Sequence, residues 1–426
     1  MVDELPLHDA QRLILAAIGV VRGTEKVPIS SALGRVLAEE VLAQAAFPMI
    51  PLSQVDGFAL CAEDGRGASP DHPRTLTVEA LIRAGDPQPP PLHPGTAVAV
   101  TTGAPLPPGA DAVVPFEEVD EARHGRLAAI RAIRLVAPVT AGQHVTLPGQ
   151  QARPGDHLLG RGEVLGIPEL GLLAFHGCET VKVLRKPRIG ILATGSELIP
   201  WQETPTLSQV RCSNLLVLSL HIRRSGCIPV ELGLAPDKAD VIREIISRAV
   251  SDHHLDFLIT TGGASRGPFD LTVPVLREMG DVRFSRLAVS PGQGSAFVSV
   301  RGKPVLCLPG GPGAMRILFE ELARPALLRL AGHRYVLRAR VKARIAGKVR
   351  WQKVAQIVPA CFQPADEGWL ATVRKASDFR CPGSFAGVLF LGAKEMASEA
   401  WAQGVIWDWP ETVEWVSGPA PNPKTE

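Results

Sequence analysis

Apolar and polar positions in the first third of the chain predict one helix followed by short strands. Near the N-terminus, apolar residues recur at helical spacing, on Leu7, Ala10, Ile14, Ile18 and Val21. Farther along, short apolar runs between Pro and Gly predict strands at 75–82, 97–102, 112–116 and 127–135. Residues 84–95 contain five prolines, a density that predicts a surface loop. This part of the chain is therefore predicted to be β-rich.

After residue 185 the pattern changes to alternating strands and helices. Apolar runs predict strands at 188–193, 228–232, 257–260 and 303–308. Residues at helical spacing predict helices at 214–225, 240–250, 271–279 and 314–330. Pro325 predicts a bend in the last helix. This order is typical of an α/β layer with a parallel sheet.

The last hundred residues predict another small β-domain. Alternation at 335–345 and an apolar run at 387–391 indicate its strands. The late tryptophans, Trp401, Trp407 and Trp409, could lie in an interface or in the core, and we expect core for Trp407 and Trp409.

Composition and charge exclude several classes of protein. With 45 Lys and Arg against 43 Asp and Glu, the net charge is +2, and no dense basic run predicts a nucleic-acid partner. No apolar stretch reaches the ~20 residues of a membrane span. The apolar run at 13–21 follows acidic residues and precedes no cleavage site, so we do not expect export. The seven cysteines form no C-x-x-C pair, which favours reduced thiols in a soluble, cytoplasmic protein.

The turns after the predicted parallel strands are where we expect a ligand, because ligands of such sheets collect beyond the carboxyl ends of the strands. Three of these turns, 193–198, 260–267 and 308–313, are rich in glycine. Small residues let backbone N–H groups approach an anion. The candidate ligand-binding residues are Thr194, Gly195, Ser196, Gly262, Gly263, Ser265, Arg266, Pro309, Gly310 and Gly311.

Carboxylates accompany these turns. Glu197 lies in the first, Asp270 follows the second, and Asp237 follows the strand predicted at 228–232. Because phosphate is held by N–H donors and Mg²⁺ by carboxylate oxygens, the combination predicts a pocket for a phosphorylated ligand and a divalent cation. Simpler explanations stay open: a glycine pair is often only a tight connection, Asp237 could equally cap the next helix, and Arg266 could be merely solvated.

Several motifs carry a family resemblance. Residues 53–59, Ser-Gln-Val-Asp-Gly-Phe-Ala, are similar to the S-x-M-D-G-Y-A signature of the MoeA family, the molybdopterin molybdenumtransferases related to the gephyrin E domain. Residues 102–105 and 109–114 resemble its T-G-A-P…G-A-D-A-V-V block. The family's T-G-x-E-L, G-G-x-S-x-G…D and P-G-N-P motifs are resembled, in the same order, by residues 193–198, 261–270 and 309–312.

The resemblance implies a multidomain α/β plus β fold and an elongated homodimer. Its four segments would be a discontinuous N-terminal and linker piece (1–46 plus 145–176), a β-rich domain (47–144), a central MogA-like α/β domain with a parallel-rich sheet (177–330) and a C-terminal domain resembling a small β-barrel (331–426).

The resemblance also implies an activity. Family members bind adenylated molybdopterin and, with Mg²⁺, insert molybdate while AMP is released. Glu197, Asp237 and Asp270 would serve the metal and the phosphoanhydride, and Asp56 and Thr102 would come from the β-rich domain of the partner subunit. A MogA-type protein upstream and molybdoenzyme chaperones downstream are the partners that this role implies.

The chain departs from the family pattern at charged and polar positions. Ser290 and Gln293 stand where the family has lysines, which removes two cations expected near bound anions. Cys212 replaces an Asp, and Ala314 replaces a Ser expected near molybdate. We hypothesise that Arg266 restores one positive charge. Arg266→Ala would then lose ligand affinity, whereas unchanged affinity would contradict the hypothesis.

Three functions fit these residues. The first is a molybdenum insertase. The second is a divergent, non-catalytic paralogue that binds molybdopterin or its adenylate as a carrier or assembly partner of a molybdoenzyme. The third is a nucleotide pyrophosphatase on the same α/β unit, which would turn over ATP or FAD without pterin.

Overall fold

The chain divides into two compact units. The computed structural model describes residues 4–119, 126–251, 254–264, 270–346, 354–365, 368–374, 387–392 and 401–407. Unit 1 comprises Met1–Ala38, Gly162–Gly166 and Thr180–Glu426, and unit 2 comprises Glu39–Arg161 and Ile167–Glu179. The finer division into four segments stays a prediction.

The helices and strands of the described residues follow in chain order. The helices are α1 (Leu7–Ala17), α2 (Ile167–Phe175), α3 (Ser213–Arg224), α4 (Ala239–Ser251), α5 (Thr272–Met279), α6 (Pro312–Leu318) and α7 (Arg324–Leu330). The strands before α2 are β1 (Thr24–Pro28), β2 (Val41–Leu42), β3 (Leu52–Ser53), β4 (Gly57–Leu60), β5 (Arg74–Ile82), β6 (Thr96–Val100), β7 (Ala112–Pro115), β8 (Ala132–Leu135), β9 (Val145–Thr146) and β10 (His157–Leu159). The strands after α2 are β11 (Thr180–Leu184), β12 (Arg188–Thr194), β13 (Leu198–Pro200), β14 (Val210–Cys212), β15 (Ile228–Ala235), β16 (Phe257–Thr261), β17 (Asp281–Phe284), β18 (Val289–Ser290), β19 (Ala296–Val300), β20 (Lys303–Leu308), β21 (Val341–Ala346), β22 (Ala355–Ala365), β23 (Gly368–Val373), β24 (Gly387–Leu391) and β25 (Trp401–Ile406).

A six-stranded sheet in the order β15-β12-β16-β20-β19-β17 forms the centre of unit 1. The first four strands are parallel, and β19 and β17 add antiparallel pairings at one edge. One face packs on α1, α3, α6 and α7, and the other packs on α4 and α5. Burial on both faces explains the continuous apolar runs of β12, β16 and β20, which the sequence pattern predicted. The carboxyl ends of these three strands lie at one edge of the sheet.

Several boundaries differ from the prediction. The first helix ends at Ala17, and Ile18 is extended, although Ile18 and Val21 are still buried in the core. The run at 127–135 is not one strand, because Leu127–Ala129 form a 3₁₀ turn before β8. The short strands β17, β18 and β19 were not predicted.

The helix predicted at 314–330 is interrupted before Pro325. Residues Phe319–Ala323 form a π-helical segment between α6 and α7. In an α-helix the carbonyl of Glu321 would accept the N–H of residue 325, which proline lacks. That carbonyl accepts instead from Gln11 Nε2 of α1, at 2.8 Å. The sequence predicts a bend at Pro325, whereas the observed change to π-helix lies in the turn before the proline.

The C-terminal strands of unit 1 form a closed barrel. The order β22-β23-β21-β25-β24 closes because β24 also pairs with β22. The two-residue strand β18 pairs in parallel with β22 and connects the barrel to the α/β layer. Trp407 is 3% exposed, as expected of a core residue. The side chain of Trp401 and all of Trp409 lie outside the described residues. The predicted α/β fold with a small β-barrel is thus confirmed.

Unit 2 contains the β-rich part of the chain. Its main sheet has the order β7-β4-β6-β5-β8, which confirms most of the strands expected there. The proline-rich segment 84–95 carries neither helix nor strand and is largely exposed, as predicted. Within the described residues, no helix is both long and apolar enough to cross a membrane.

Candidate ligand pocket at the sheet edge

A cavity of about 690 Å³ opens in unit 1 beyond β12, β16 and β20. All three glycine-rich turns contribute to its wall. The predicted site residues that line it are Thr194, Gly195, Glu197, Asp237, Gly262, Gly263, Asp270, Pro309, Gly310 and Gly311. Ser265 and Arg266 lie outside the described residues, and Ser196 borders the cavity without lining it.

Glycine is required where the first and second turns approach each other. Gly262 has φ +94°, and a Cβ there would lie 2.2 Å from the carbonyl oxygen of Thr194. At Gly263, a Cβ would lie 2.4 Å from Thr272 Oγ1. The two turns can therefore meet only because these residues have no side chain.

Asn214, in the first turn of α3, ties the second and third turns together. Its Nδ2 donates to Thr261 Oγ1 at 3.0 Å and to the carbonyl of Gly310 at 2.8 Å. Thr261 Oγ1 in turn donates to the carbonyl of Pro309 at 2.9 Å. These bonds hold the loop after β20 against the end of β16. Asn214 is thus a positioning residue for the pocket wall.

The three predicted carboxylates all line the same cavity. Asp237 Oδ2 accepts from the backbone N–H of Ser196 at 2.9 Å, and Ser196 Oγ accepts from the N–H of Asp237 at 2.9 Å. Asp237 is therefore bonded to the first turn. Glu197 is exposed, and its carboxylate lies over Gly195, where an added Cβ would come within 2.8 Å.

The carboxylates do not form a ready-made metal cluster. Within the part of the chain that the structure describes, no three His, Cys, Asp or Glu side chains are placed so that they could hold an ion. A cation in this pocket would need further ligands from water or from the substrate. Mg²⁺ commonly binds in that way, through one or two carboxylates together with substrate phosphates.

Residues that the sequence analysis did not name as ligand-binding also line the cavity. They include Arg211, on β14, which the sequence analysis did not mention, and the buried Cys212, which it noted only as a departure from the family pattern. Arg211 gives no signal in the sequence, because β14 is a strand of only three residues with no periodic pattern. Gly292 and Gly294 line the cavity as well, whereas the substituted positions Ser290 and Gln293 do not.

Asp56 and Thr102 belong to unit 2, where they are bonded to each other. Asp56 Oδ1 accepts from the backbone N–H of Thr102 at 2.6 Å and from its hydroxyl at 2.9 Å. Both side chains are exposed. The carboxylate is therefore held in place while its other oxygen stays available to solvent.

Comparison with known proteins identifies the family. A family model described as MoeA N-terminal region (domain I and II) matches residues 5–177, and one described as probable molybdopterin binding domain matches residues 190–329. Molybdopterin molybdenumtransferase 2 of Mycobacterium tuberculosis is 32% identical over 307 residues, 71% of this chain and 74% of that protein. This chain belongs to the MoeA family.

Other MoeA relatives extend the likeness. The molybdopterin molybdenumtransferase of Synechococcus elongatus is 33% identical over 331 residues, 76% of this chain and 78% of that protein. The crystal structure of a molybdopterin biosynthesis MoeA protein from Pyrococcus horikosii is 29% identical, with a TM-score of 0.79 over 96% of this chain and 100% of that one. As a member of the MoeA family, the chain is a transferase of molybdenum cofactor biosynthesis. Nothing in the described residues favours the non-catalytic alternative.

Proposed function

We propose that the pocket binds adenylated molybdopterin and that the enzyme inserts molybdate while AMP is released. The observation that supports this most is the convergence of three glycine-rich turns and three carboxylates on one cavity. That cavity lies within residues 190–329, the region similar to the molybdopterin-binding model. Its volume of about 690 Å³ is in the range of small-molecule sites.

The protein groups have separable tasks in this proposal. The glycine turns expose backbone N–H groups to the ligand. These groups can donate hydrogen bonds to the phosphate oxygens and stabilise the negative charge that develops on them during the reaction. Asn214 keeps the wall rigid, which preserves the alignment of the reacting groups. The carboxylates of Glu197 and Asp270 supply oxygen ligands rather than soft ones, which suits Mg²⁺ better than zinc.

The charge of the pocket supports a role for Mg²⁺. The described lining residues carry three carboxylates and one guanidinium, which leaves a net charge of 1 − 3 = −2 facing an anionic substrate. A bound divalent cation would offset that repulsion and neutralise charge on the leaving phosphate. One or two of Glu197, Asp237 and Asp270 would hold it, together with water and substrate phosphates.

AMP release from adenylated molybdopterin, with Mg²⁺ and with or without molybdate, tests the proposal. We expect molybdate-dependent release that falls at least tenfold in Glu197→Gln and in Asp270→Asn, because each removes an anionic oxygen ligand. Asp240→Asn, at a fully exposed position of α4, is the matched control and should keep full activity.

Other outcomes would contradict the proposal. Tight binding without release would indicate a carrier of the pterin. Release from ATP or FAD without pterin would indicate a nucleotide pyrophosphatase.

We also propose that Asp56 and Thr102, in the β-rich domain, serve the reaction of the partner subunit. The exposed Asp56 carboxylate is fixed by two hydrogen bonds from Thr102, an arrangement suited to contacting a substrate. Asp56→Asn, measured by the same release assay, should lower the rate more than Asp64→Asn does. Equal effects of the two substitutions would remove Asp56 from the site.

A homodimer is a further proposal, supported by exposed apolar residues of unit 1. Leu216 and Leu220 lie four residues apart on α3 and are 39% and 55% exposed, and Trp201 and Leu207 are exposed on the β13–β14 loop. Such side chains mark association surfaces when they cluster. Sedimentation velocity should show a dimer that Leu220→Glu dissociates and that Arg248→Glu, on α4, does not. A wild-type monomer would contradict the proposal.

We also propose a cellular setting that follows from the role in molybdenum cofactor biosynthesis. A MogA-type protein would supply the adenylated substrate in the cytoplasm, and molybdoenzyme chaperones would receive the product. Co-purification of such proteins with the tagged enzyme from a cytoplasmic fraction tests this. Recovery of the enzyme in another fraction would contradict it.

A further inference from the structure

The described wall of the pocket carries more negative than positive side chains. Glu197, Asp237 and Asp270 contribute three negative charges to the wall. Among the described residues that line the cavity, Arg211 is the one Lys, Arg or His. The positions at which the family resemblance predicts lysines are the neutral Ser290 and Gln293. Besides a bound metal ion, Arg211 is therefore the positive group that the described wall offers to an anionic ligand.

The local structure places Arg211 beside the first glycine turn. The backbone N–H of Val210 donates to the carbonyl of Glu197 at 2.8 Å, which holds β14 against that turn. β14 also pairs in parallel with β13, with Ile199 opposite Arg211. Arg211 is therefore carried on a strand that is bonded to the first turn at Val210 and paired with β13.

The guanidinium of Arg211 is fixed through its Nε. Nε donates to the carbonyl of Glu203 at 2.9 Å, and the residue is exposed. A guanidinium fixed through Nε presents its two Nη groups as a fork, which matches two oxygens of a tetrahedral oxyanion. Arg211 also immediately precedes Cys212 and the N-terminus of the twelve-residue helix α3, where backbone N–H groups favour negative charge.

We propose that Arg211 binds a tetrahedral oxyanion in the pocket, either the phosphate of the adenylate or molybdate. The inference rests on the function proposed above and assigns within it the residue that holds the anion. Arg211 thereby supplies one of the two positive charges lost at Ser290 and Gln293. Its planar guanidinium can donate two charge-assisted hydrogen bonds to one anion.

Binding of the separate anions tests this role without turnover. Titration calorimetry would measure AMP, with Mg²⁺, and sodium molybdate binding to the wild type, Arg211→Gln, Arg211→Lys and the control Arg223→Gln, at the far end of α3. We expect Kd to rise at least tenfold in Arg211→Gln for one of the two anions. Arg211→Lys should lose less, because it keeps the charge but not the fork. Arg223→Gln should bind like the wild type.

The two anions distinguish the possible ligands of Arg211. Weaker binding of AMP alone assigns Arg211 to the phosphate, and weaker binding of molybdate alone assigns it to the metal oxyanion. Unchanged Kd for both anions in a folded Arg211→Gln variant would overturn the proposal, as would a wild type that binds neither. Because no step of catalysis is measured, loss of AMP release in the earlier assay would leave these results intact.

Discussion

Gly262→Ala is expected to lower the free energy of unfolding of unit 1 by about 3–5 kcal/mol and to abolish ligand binding. The added Cβ would lie 2.2 Å from the carbonyl oxygen of Thr194 and 3.0 Å from its Oγ1. The backbone at Gly262 also has φ +94°, which an L side chain rarely adopts. The clash is with backbone, so no rotation of a side chain can relieve it. The second turn would have to move away from β12.

Urea unfolding and AMP titration together check this prediction. Gly311→Ala provides the matched control, because Gly311 lines the same cavity but nothing lies within 4 Å of an added Cβ. Its φ of −64° suits any residue, so stability should change by less than about 0.5 kcal/mol. A Gly262→Ala variant as stable as Gly311→Ala would show that the close approach of the turns does not constrain the pocket.

The sequence predicts the α/β layer well because burial on both faces leaves simple patterns. Strands such as β16 are buried at every position, so they read as short apolar runs. The glycine-rich turns could be assigned to one sheet edge, since carboxyl ends of parallel strands meet there. The convergence of Glu197, Asp237 and Asp270 on one cavity follows from that rule.

Long-range contacts account for what the sequence does not predict. The π-helical segment depends on Gln11, which lies 310 positions away from the carbonyl that it satisfies. Arg211 enters the wall because a backbone bond to Glu197 places the short strand β14 there, and no local pattern specifies that bond. The barrel closes only when β24 pairs with β22, a contact that no local pattern specifies. The sequence therefore predicts a small β-domain but not the order of its strands.

A pair of adjacent acids in the π-helical segment is expected to respond to pH and to mutation in opposite ways. Glu320 and Glu321 are 5% and 6% exposed. Glu320 accepts from Arg338 at 3.1 Å and lies 3.5 Å from His221 and 3.8 Å from Arg324. Glu321 has polar partners of a different kind, since its Oε2 accepts from the neutral Gln11 Nε2 at 3.3 Å.

Burial raises the pKa of Glu321 to about 7, and the nearby Trp407 and arginines oppose the shift only in part. In the unfolded chain the same carboxyl has its ordinary pKa of 4.5. The folded state therefore holds this proton more tightly, and the resulting stability is fully present below pH 4.5. It is lost as pH rises through 7. A shift of this size corresponds to about 3 kcal/mol.

Glu321→Gln should therefore raise the free energy of unfolding by about 1–3 kcal/mol at pH 8, since the amide cannot ionise and its oxygen can still accept from Gln11. At pH 5 the variant and the wild type should differ little. Urea unfolding at the two pH values measures both differences. A gain at pH 5 as large as that at pH 8 would mean that ionisation of Glu321 is not the cause.

Glu320→Gln is the matched comparison, one residue away in the same segment, and the opposite sign is expected. It removes the carboxylate that faces Arg338, Arg324 and His221 and leaves partly buried guanidinium groups without their counter-ion. Breaking such a buried pair costs about 3 kcal/mol or more. If Glu320→Gln stabilised the protein as Glu321→Gln does, relief of crowding in the π-helical segment, and not charge, would explain both results.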